Sequence, residues 1–513
     1  MFQGHIGLGL LRILGVLLLV LLIVVSGVIL ASVTGLFGTR EESRGVEEAQ
    51  TPFGEDVAGG STGGTAAIET HVSSLSLASR PLSFAFDGGK FIYIAASDGV
   101  GRGEDAVQRV SLHIVDLGSM EEEFSVVLEE YSLSPPEARP CVVEGGGGSG
   151  LPEYRVLGFD GRFAYYARKC PDVPYLYVVD VVESRVVATG IDTSWLAAVE
   201  DGVAYMYRDN AVTAVDVLEG RVLWSYSITP SYVFPQPPGP GRVFSGVLKG
   251  AWVDGGKLIL LLQDSDQATG ELVWVYGLIV ASEEGVGESY LEAFRVKTDL
   301  TRYDIRVGFD GERVYVFTGL LWGYQGEYHG VVALDYLGLD GRKGRLLSRE
   351  VAVPPNENYF PLYLFVGDGG IGVGYVVERR IVEVTMGGAA TRLESPILVF
   401  EALTPEGEIL WSREIATAVE GGKLLGFKSG SLYFTDGRYI YKTSPSGTAE
   451  MLADLGPQGL PAEAVLGAII AAPILFPFLP FITPDTTTVM VMVDTTLYIY
   501  NGPEAQLISV ALG

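Results

Sequence analysis

The stretch from Trp195 to Thr229, WLAAVEDGVAYMYRDNAVTAVDVLEGRVLWSYSIT, contains four short apolar runs separated by turn residues. The separators Asp201-Gly202, Asp209-Asn210 and Glu219-Gly220 are rich in residues that favour tight hairpin turns. The runs themselves are rich in Val, Ala, Tyr and Trp, a composition typical of β-strands. The stretch therefore predicts one sheet of four antiparallel strands in which consecutive strands are neighbours.

The same four-run pattern recurs along the chain from about Leu82. An Asp-Gly pair separates the first two runs at six places, namely Asp87-Gly88, Asp160-Gly161, Asp201-Gly202, Asp254-Gly255, Asp310-Gly311 and Asp368-Gly369. Eight units begin near Leu82, Tyr154, Trp195, Gly250, Asp304, Leu362, Leu424 and Ala464. Their spacing of about 40–70 residues suits the four-stranded blades of a propeller with loops of variable length.

We therefore expect an all-β fold, a β-propeller of about eight four-stranded blades. A single blade cannot bury both of its faces, so the blades must stack radially on one another. Seven blades is the alternative, because the first strand of the eighth unit is poorly defined. A string of β-sandwich domains is disfavoured, because each sandwich needs about 100 residues.

Two units carry a more specific motif. The third unit has Ala214-Val215-Asp216 and then Gly220-Arg221-Val222-Leu223-Trp224, and the sixth has Phe400-Glu401 and then Gly407-Glu408-Ile409-Leu410-Trp411. The fifth unit keeps Ala333-Leu334-Asp335 but has Leu346-Leu347 in place of the Trp. These units resemble the repeat of quinoprotein-type, pyrroloquinoline-quinone-like β-propellers. The resemblance implies scaffold roles: the acids Asp216, Asp335 and Glu401 cap turns, and Trp224 and Trp411 dock between blades.

The resemblance to quinoproteins also raises the possibility of an enzyme. Quinoprotein dehydrogenases imply an adjacent cysteine pair over the quinone and a calcium ion held by a carboxylate and an amide. The two cysteines, Cys141 and Cys170, are not adjacent in the sequence. The four histidines are scattered without metal-ligand spacing. We therefore assign no catalytic residue, no cofactor and no metal, and we favour a non-enzymatic role.

The N-terminal region contains a charge-free apolar segment, residues 13–37, which is long enough to span a bilayer. We expect an uncleaved signal anchor there, with a removed signal peptide as the alternative. The predicted organisation is a short cytoplasmic N-terminus at 1–12, the transmembrane anchor at 13–37, a flexible linker at 38–68 rich in Gly, Thr and Glu, and the propeller at 69–513.

The two cysteines indicate on which side of the membrane most of the chain lies. Cys141 and Cys170 bracket a glycine run, as expected for a disulfide that closes a flexible excursion outside the cytoplasm. Such a bond would stabilise the protein by about 3–4 kcal/mol. Two unrelated buried thiols are the alternative. We predict that the protein is a single-pass protein of the cell membrane with most of its chain extracytoplasmic.

Charge and composition exclude two classes of protein. Lys and Arg total 35 against 63 Asp and Glu, a formal net charge of −28, which disfavours nucleic acid as a partner. Hydrophobic residues make up 48% and charged residues 19% of the chain, which excludes global disorder.

Two further segments bear on interactions. An insertion at 320–330 contains Trp322, Tyr324 and Tyr328, which are predicted either to contact a protein or glycan or to pack as a lid on the neighbouring blade.

The charge-free segment Ala464–Ile482 contains three prolines. We expect it to form a buried first strand of the eighth unit and an apolar loop. The alternatives are an exposed apolar patch and a second membrane span.

Together these observations predict a membrane-anchored extracytoplasmic β-propeller. Its favoured role is that of a scaffold or recognition module of the cell envelope that binds protein or glycan through rim loops. The alternatives are an extracytoplasmic quinoprotein-like oxidoreductase or hydrolase, and a structural subunit of a membrane or envelope complex.

Overall fold

The computed structural model describes residues 72–512, with gaps of which the longest are 98–106, 133–151, 352–361, 417–422 and 455–487. These residues belong to the compact unit Ile68–Gly513. The predicted anchor at 13–37, the segments that flank it and Cys141 lie outside the described residues. Within the described residues no helix has the length and apolar character that a membrane crossing requires.

The described chain contains thirty-six β-strands, and eight four-stranded antiparallel sheets hold all but four of them. The first strand in the chain is β1 (Val72–Ser76). Blades 1 to 4 then follow in order:
β2 (Pro81–Asp87), β3 (Lys90–Ala96), β4 (Val107–Asp116) and β5 (Glu121–Ser132); β6 (Glu153–Phe159), β7 (Phe163–Lys169), β8 (Pro174–Asp180) and β9 (Arg185–Asp192); β10 (Leu196–Glu200), β11 (Val203–Arg208), β12 (Ala211–Asp216) and β13 (Val222–Ser227); and, after the hairpin β14 (Val233–Phe234) and β15 (Arg242–Val243), β16 (Val247–Asp254), β17 (Lys257–Asp266), β18 (Glu271–Ser282) and β19 (Gly285–Lys297).

Blades 5 to 8 complete the set. Their strands are β20 (Leu300–Phe309), β21 (Arg313–Tyr324), β22 (Glu327–Gly338) and β23 (Lys343–Glu350); β24 (Leu362–Gly367), β25 (Gly370–Val377), β28 (Ile397–Leu403) and β29 (Ile409–Ala416), with the hairpin β26 (Arg380–Thr385) and β27 (Gly388–Leu393) inserted; β30 (Lys423–Lys428), β31 (Ser431–Thr435), β32 (Tyr439–Thr443) and β33 (Ala449–Asp454); and β34 (Thr488–Val493), β35 (Thr496–Asn501) and β36 (Gln506–Ala511).

The eighth blade closes the ring with a strand from the other end of the chain. Its order is β34, β35, β36 and β1, and the register pairs Val72 with Val510 and Ser76 with Gln506. The eight predicted blades are therefore confirmed, and the alternative of seven is wrong. The first described strand of this blade is β34, and Ala464–Ile482, which was predicted to supply the first strand, precedes it in the chain. The segment itself lies outside the described residues.

The core is divided among the blade interfaces. Eight clusters of buried apolar side chains are present, and each contains residues of two neighbouring blades, including the pair formed by blades 8 and 1. Each sheet thus buries both faces against its neighbours, as a blade must. The seam between blades 8 and 1 is aromatic: Phe91 is fully buried, with its ring centroid 4.9 Å from that of Phe86 and 5.7 Å from that of Tyr500.

The propeller has two ends with different connections. Because strands alternate in direction, the turns after the first and third strands of every blade share one end, which we call the turn end. The connections after the second strand and between blades share the other, the loop end. The longest gaps and both inserted hairpins fall in connections at the loop end. Since Val72 pairs with Val510 near the end of β36, the chain enters the propeller at the turn end.

The turns at the turn end explain the recurring Asp-Gly pairs. Asp201 and Gly202 have φ angles of 49° and 75°, the left-handed pair that a tight hairpin turn requires. Asp160 instead accepts hydrogen bonds from the backbone N–H groups of Arg162 (3.0 Å) and Phe163 (2.7 Å). Asp87 reaches the next blade and accepts a bond of 2.8 Å from the N–H of Phe159. A Cβ at Gly158 would lie 3.0 Å from that carboxylate, so glycine permits the approach.

We expect Phe91→Ala to destabilise the propeller by about 3–5 kcal/mol, because it leaves a cavity at the seam that closes the ring. Urea unfolding followed by circular dichroism measures the change. Met451→Ala is the matched control, since Met451 is 50% exposed on β33 and its loss should cost less than about 0.5 kcal/mol. Equal destabilisation by the two variants would contradict the role assigned to the seam.

Candidate functional site

A cavity of about 550 Å³ opens at the loop end between blades 2, 3 and 4. Its walls come from the starts of β6, β10 and β16, from the ends of β7 and β11, and from the short 3-10 turn Thr193–Trp195 that leads into β10. The volume lies in the range of small-ligand and peptide side-chain sites. Three blades therefore contribute to one concave surface, which none of them forms alone.

Three cationic side chains, Arg155, Lys169 and Arg208, line the cavity. Arg155 is half-buried on the first strand of blade 2, and this burial lowers the pKa of its guanidinium although Glu153 opposes the shift. Nearer the rim, the Lys169 Nζ lies 3.8 Å from Glu153 Oε2, and both side chains are about two-fifths exposed. The cavity thus concentrates positive charge in a chain whose formal net charge is −28.

Aromatic and aliphatic side chains form the rest of the wall. Trp195 is 40% exposed, and the guanidinium carbon of Arg208 lies 4.7 Å from its ring centroid. Tyr207 is partly buried, which raises the pKa of its hydroxyl, and it donates a 3.0 Å hydrogen bond to Asn210 Oδ1. Val247 is 62% exposed at the start of β16. The surface therefore offers apolar contacts beside the cations.

The segments that carry these side chains are fixed by polar contacts. Asp192 caps the 3-10 turn by accepting a 2.8 Å bond from the N–H of Ser194, and Thr193 Oγ1 donates to the carbonyl of Pro174 at 3.1 Å. These bonds tie the turn that bears Trp195 to blade 2. Such anchoring fixes the position of the ring before any ligand binds.

The hairpin of β14 and β15 that precedes β16 is also held by side-chain contacts. Arg242 donates two 2.9 Å hydrogen bonds to the two carboxylate oxygens of Asp264, and its guanidinium carbon lies 4.5 Å from the ring centroid of Phe234. Phe234 and Phe244 are buried in the cluster between blades 3 and 4. The hairpin of β14 and β15 thereby holds the chain that enters the cavity wall at Val247.

The predicted interaction residues at 320–330 lie elsewhere. Trp322 and His329 face each other across the β21–β22 pair with ring centroids 5.3 Å apart, and Trp322 is partly buried against the cluster between blades 4 and 5. The predicted insertion is therefore a continuation of two strands, because the ladder extends to Tyr324 and Glu327. Tyr324 and Tyr328 belong to this ladder, and their side chains are not described.

Asp216 and Trp224 of the third unit lie in a turn and at a blade interface. Asp216 accepts bonds from the N–H groups of Leu218 (2.9 Å) and Glu219 (2.8 Å) in the turn after β12. Trp224 packs against the cluster that blades 3 and 4 share. In blade 6, the indole N–H of Trp411 donates to the carbonyl of Gly430 in blade 7 at 3.1 Å. Both tryptophans thus lie at blade interfaces.

Asp335 and Glu401 differ from the expected turn caps, because β22 and β28 continue beyond them to Gly338 and Leu403. Asp335 is 1% exposed and accepts from Arg345 at 2.8 and 3.1 Å. Glu401 is 4% exposed and accepts from Arg349 of blade 5 at 3.0 Å. Both acids are therefore buried and each pairs with a partly exposed arginine, a role that the motif spacing did not predict.

The Asp335–Arg345 pair of blade 5 also connects blade 5 to blade 4. Arg345 donates a further bond of 2.6 Å to the carbonyl of Ala293 in blade 4, and its guanidinium carbon lies 4.6 Å from the ring centroid of Phe294. Removal of one partner would leave the Asp335 carboxylate buried and uncompensated.

We expect Arg345→Met to destabilise the protein by about 3–5 kcal/mol, with most of the loss recovered in the double variant Asp335→Leu/Arg345→Met. Urea unfolding measures both. Arg342→Met is the control, because Arg342 lies in the neighbouring turn, is 78% exposed and should cost less than about 1 kcal/mol. If Arg345→Met is no less stable than Arg342→Met, the stabilising role assigned to the Asp335–Arg345 pair is refuted.

Carboxylates of four consecutive blades gather at the turn end. Glu200 at the end of β10 is half-buried, and this burial raises the pKa of its carboxyl. The negative charges of Asp201, Asp160, Asp254 and Asp87 raise it further. Within the described residues no group of three or more His, Cys, Asp or Glu side chains is arranged to hold a metal ion. The repulsion at Glu200 therefore opposes folding at neutral pH.

We expect Glu200→Gln to raise the thermal stability at pH 7 by up to about 1 kcal/mol. The folded state binds the Glu200 proton more tightly than the unfolded state, so the cost exists above the folded-state pKa and disappears as the pH falls. Thermal unfolding at pH 7 and pH 3 tests this, with exposed Glu312→Gln in blade 5 as control. A gain of equal size at both pH values would contradict the electrostatic origin.

The predicted disulfide remains a prediction. Cys170 follows directly after β7 at the loop end, whereas Cys141 lies outside the described residues. The cavity residues Arg155, Lys169, Trp195 and Arg208 were not found by sequence analysis. One signal was present: Arg155 is a charged residue between the apolar Tyr154 and Val156 on a predicted first strand.

No family model matches the chain, and no curated protein sequence does. Among solved structures, the β-propeller domain of the trilobed protease from Pyrococcus furiosus is similar, with 12% identity, a TM-score of 0.32 and coverage of 77% of this chain and 98% of that chain. The polysaccharide lyase Uly1 has 8% identity, a TM-score of 0.36 and coverage of 85% and 91%. The propeller assignment itself rests on the strand pairing described above.

Proposed function

We propose that this protein is a non-enzymatic recognition module that binds a protein partner at the loop end of its propeller. The observation that carries the proposal is the cavity, which combines exposed apolar side chains with three cations in a strongly acidic chain. Apolar anchors beside polar groups are the usual composition of a binding surface. The two inserted hairpins at the same end, β14–β15 and β26–β27, would enlarge the contact area, as loops on a rigid scaffold commonly do.

We propose further that residues 13–37 anchor the protein in the cell membrane, that 38–68 form a flexible linker, and that the propeller lies outside the cytoplasm with Cys141 bonded to Cys170. The length and apolar character of 13–37 support the anchor. In the described residues the chain enters the propeller at the turn end, where β1 begins, and the cavity lies at the loop end.

The quinoprotein resemblance supplies the alternative function. A quinoprotein-like oxidoreductase would bind a quinone and calcium, and a chromophore in the protein purified from its own membranes would support that reading. A subunit of an envelope complex differs from the recognition module only in having a permanent partner. Mild detergent extraction followed by mass spectrometry distinguishes these readings.

We expect a photo-crosslinking amino acid at Val247 to capture a partner protein in native membranes, and the same residue at Val182 to capture none. The two valines form a matched pair, since they are 62% and 71% exposed and lie at the loop end and the turn end. Mass spectrometry of the adducts identifies the partner. Adducts at Val182 alone, adducts at neither position, or a bound quinone would contradict the proposed function.

A further inference from the structure

We infer that the cavity binds a carboxylate carried by a peptide segment of the partner, with Arg155 contacting the carboxylate and the apolar wall contacting the neighbouring side chains. The inference rests on the proposed function and names the chemistry of its ligand. Three observations carry it: the position of Arg155, the charge of the cavity relative to the chain, and the apolar character of the wall.

Arg155 has the placement of an anion-binding side chain. It lies on β6, the first strand of blade 2, it lines the cavity, and it is half-buried there. A guanidinium offers paired N–H donors that match the two oxygens of a carboxylate. Burial strengthens such a pair, because water competes less for the charges. A carboxylate that enters the cavity would therefore meet a partly buried guanidinium at this position.

The charge of the cavity favours an anionic ligand over a cationic one. Lys169 and Arg208 add positive charge around Arg155. The acids in the wall are Glu153, which contacts Lys169, and Asp209, which accepts a 3.1 Å bond from Arg208. Asp209 is 80% exposed, so it interacts mainly with water. The chain as a whole has a formal net charge of −28, but this cavity attracts anionic groups locally.

The wall favours a peptide over an acidic glycan. Sugar hydroxyls need many hydrogen-bonding partners, whereas much of this wall is aliphatic: Leu157, Leu196, Val247 and Leu248 line it together with Pro174. Val247 projects from the start of β16, and Trp195 offers an exposed ring. A carboxylate flanked by apolar side chains would match both parts of the surface.

The test measures the binding of three fluorescent pentapeptides to the full chain, which is solubilised in detergent. Acetyl-Leu-Val-Glu-Val-Leu-amide carries a side-chain carboxylate, acetyl-Leu-Val-Gln-Val-Leu with a free C-terminus carries a terminal one, and acetyl-Leu-Val-Gln-Val-Leu-amide carries none. We expect at least one anionic peptide to bind at least tenfold more tightly than the neutral peptide, and the preferred one identifies the source of the carboxylate. The preference should weaken as salt is added.

Variants locate the binding site. Arg155→Gln should abolish the preference, Arg155→Lys should retain part of it, and Lys169→Gln should reduce it severalfold. Arg342→Gln at the turn end, where Arg342 is 78% exposed, should leave it unchanged. Circular dichroism checks the folding of each variant, and the Lys169 and Arg155→Lys variants keep the test decisive if Arg155→Gln does not fold.

Several outcomes would overturn the inference. These are equal binding of the three peptides, binding of none, a preference that survives in Arg155→Gln, and tighter binding of hexagalacturonate than of any peptide. Failure of the proposed function is distinguished by the crosslinking at Val247 and Val182. A partner captured at Val247 together with peptides that show no carboxylate preference rejects the ligand chemistry alone.

Discussion

Burial of both faces of every sheet is the constraint on which this structure depends. A four-stranded blade has two apolar faces, and each face is covered only when another blade lies beside it. The eight core clusters coincide with the eight interfaces, so no cluster belongs to a single blade. The stability of each blade is therefore shared with its neighbours, and buried polar pairs such as Asp335 and Arg345 add connections across the same interfaces.

Local features of the sequence predicted most of the fold. Apolar runs and Asp-Gly turns are short-range signals, and the first seven units begin within a few residues of the observed blades. The pairing of β1 with β36 was not predicted, because it joins the two ends of the propeller and no local pattern indicates such a partner. The short sequence of β1, Val-Ser-Ser-Leu-Ser, also resembles a linker more than a strand.

The candidate site was harder to predict for a related reason. The cavity needs Arg155 from blade 2, Trp195 and Arg208 from blade 3, and Val247 from blade 4, which are far apart in sequence. Glu401 likewise pairs with an arginine of the preceding blade, so its role depends on the stacking of blades and not on the motif around it. Spacing within one repeat cannot reveal contacts between repeats. Contacts between repeats likewise bring the acids of successive turns together around Glu200 and bring Arg155, Lys169 and Arg208 together in the cavity.

Ring closure by β1 also determines the order in which the protein can be completed during synthesis. Blades 1 to 7 each consist of strands that follow one another closely in the chain, so the hairpins of each blade can form without the later blades. Among the described strands β1 comes first in the chain, but it must wait for β36, which comes last. Until then the outer faces of blade 1 and of the newest blade stay exposed to water. The pairing of β1 with β36 therefore closes the ring and covers the facing sides of blades 8 and 1 against each other.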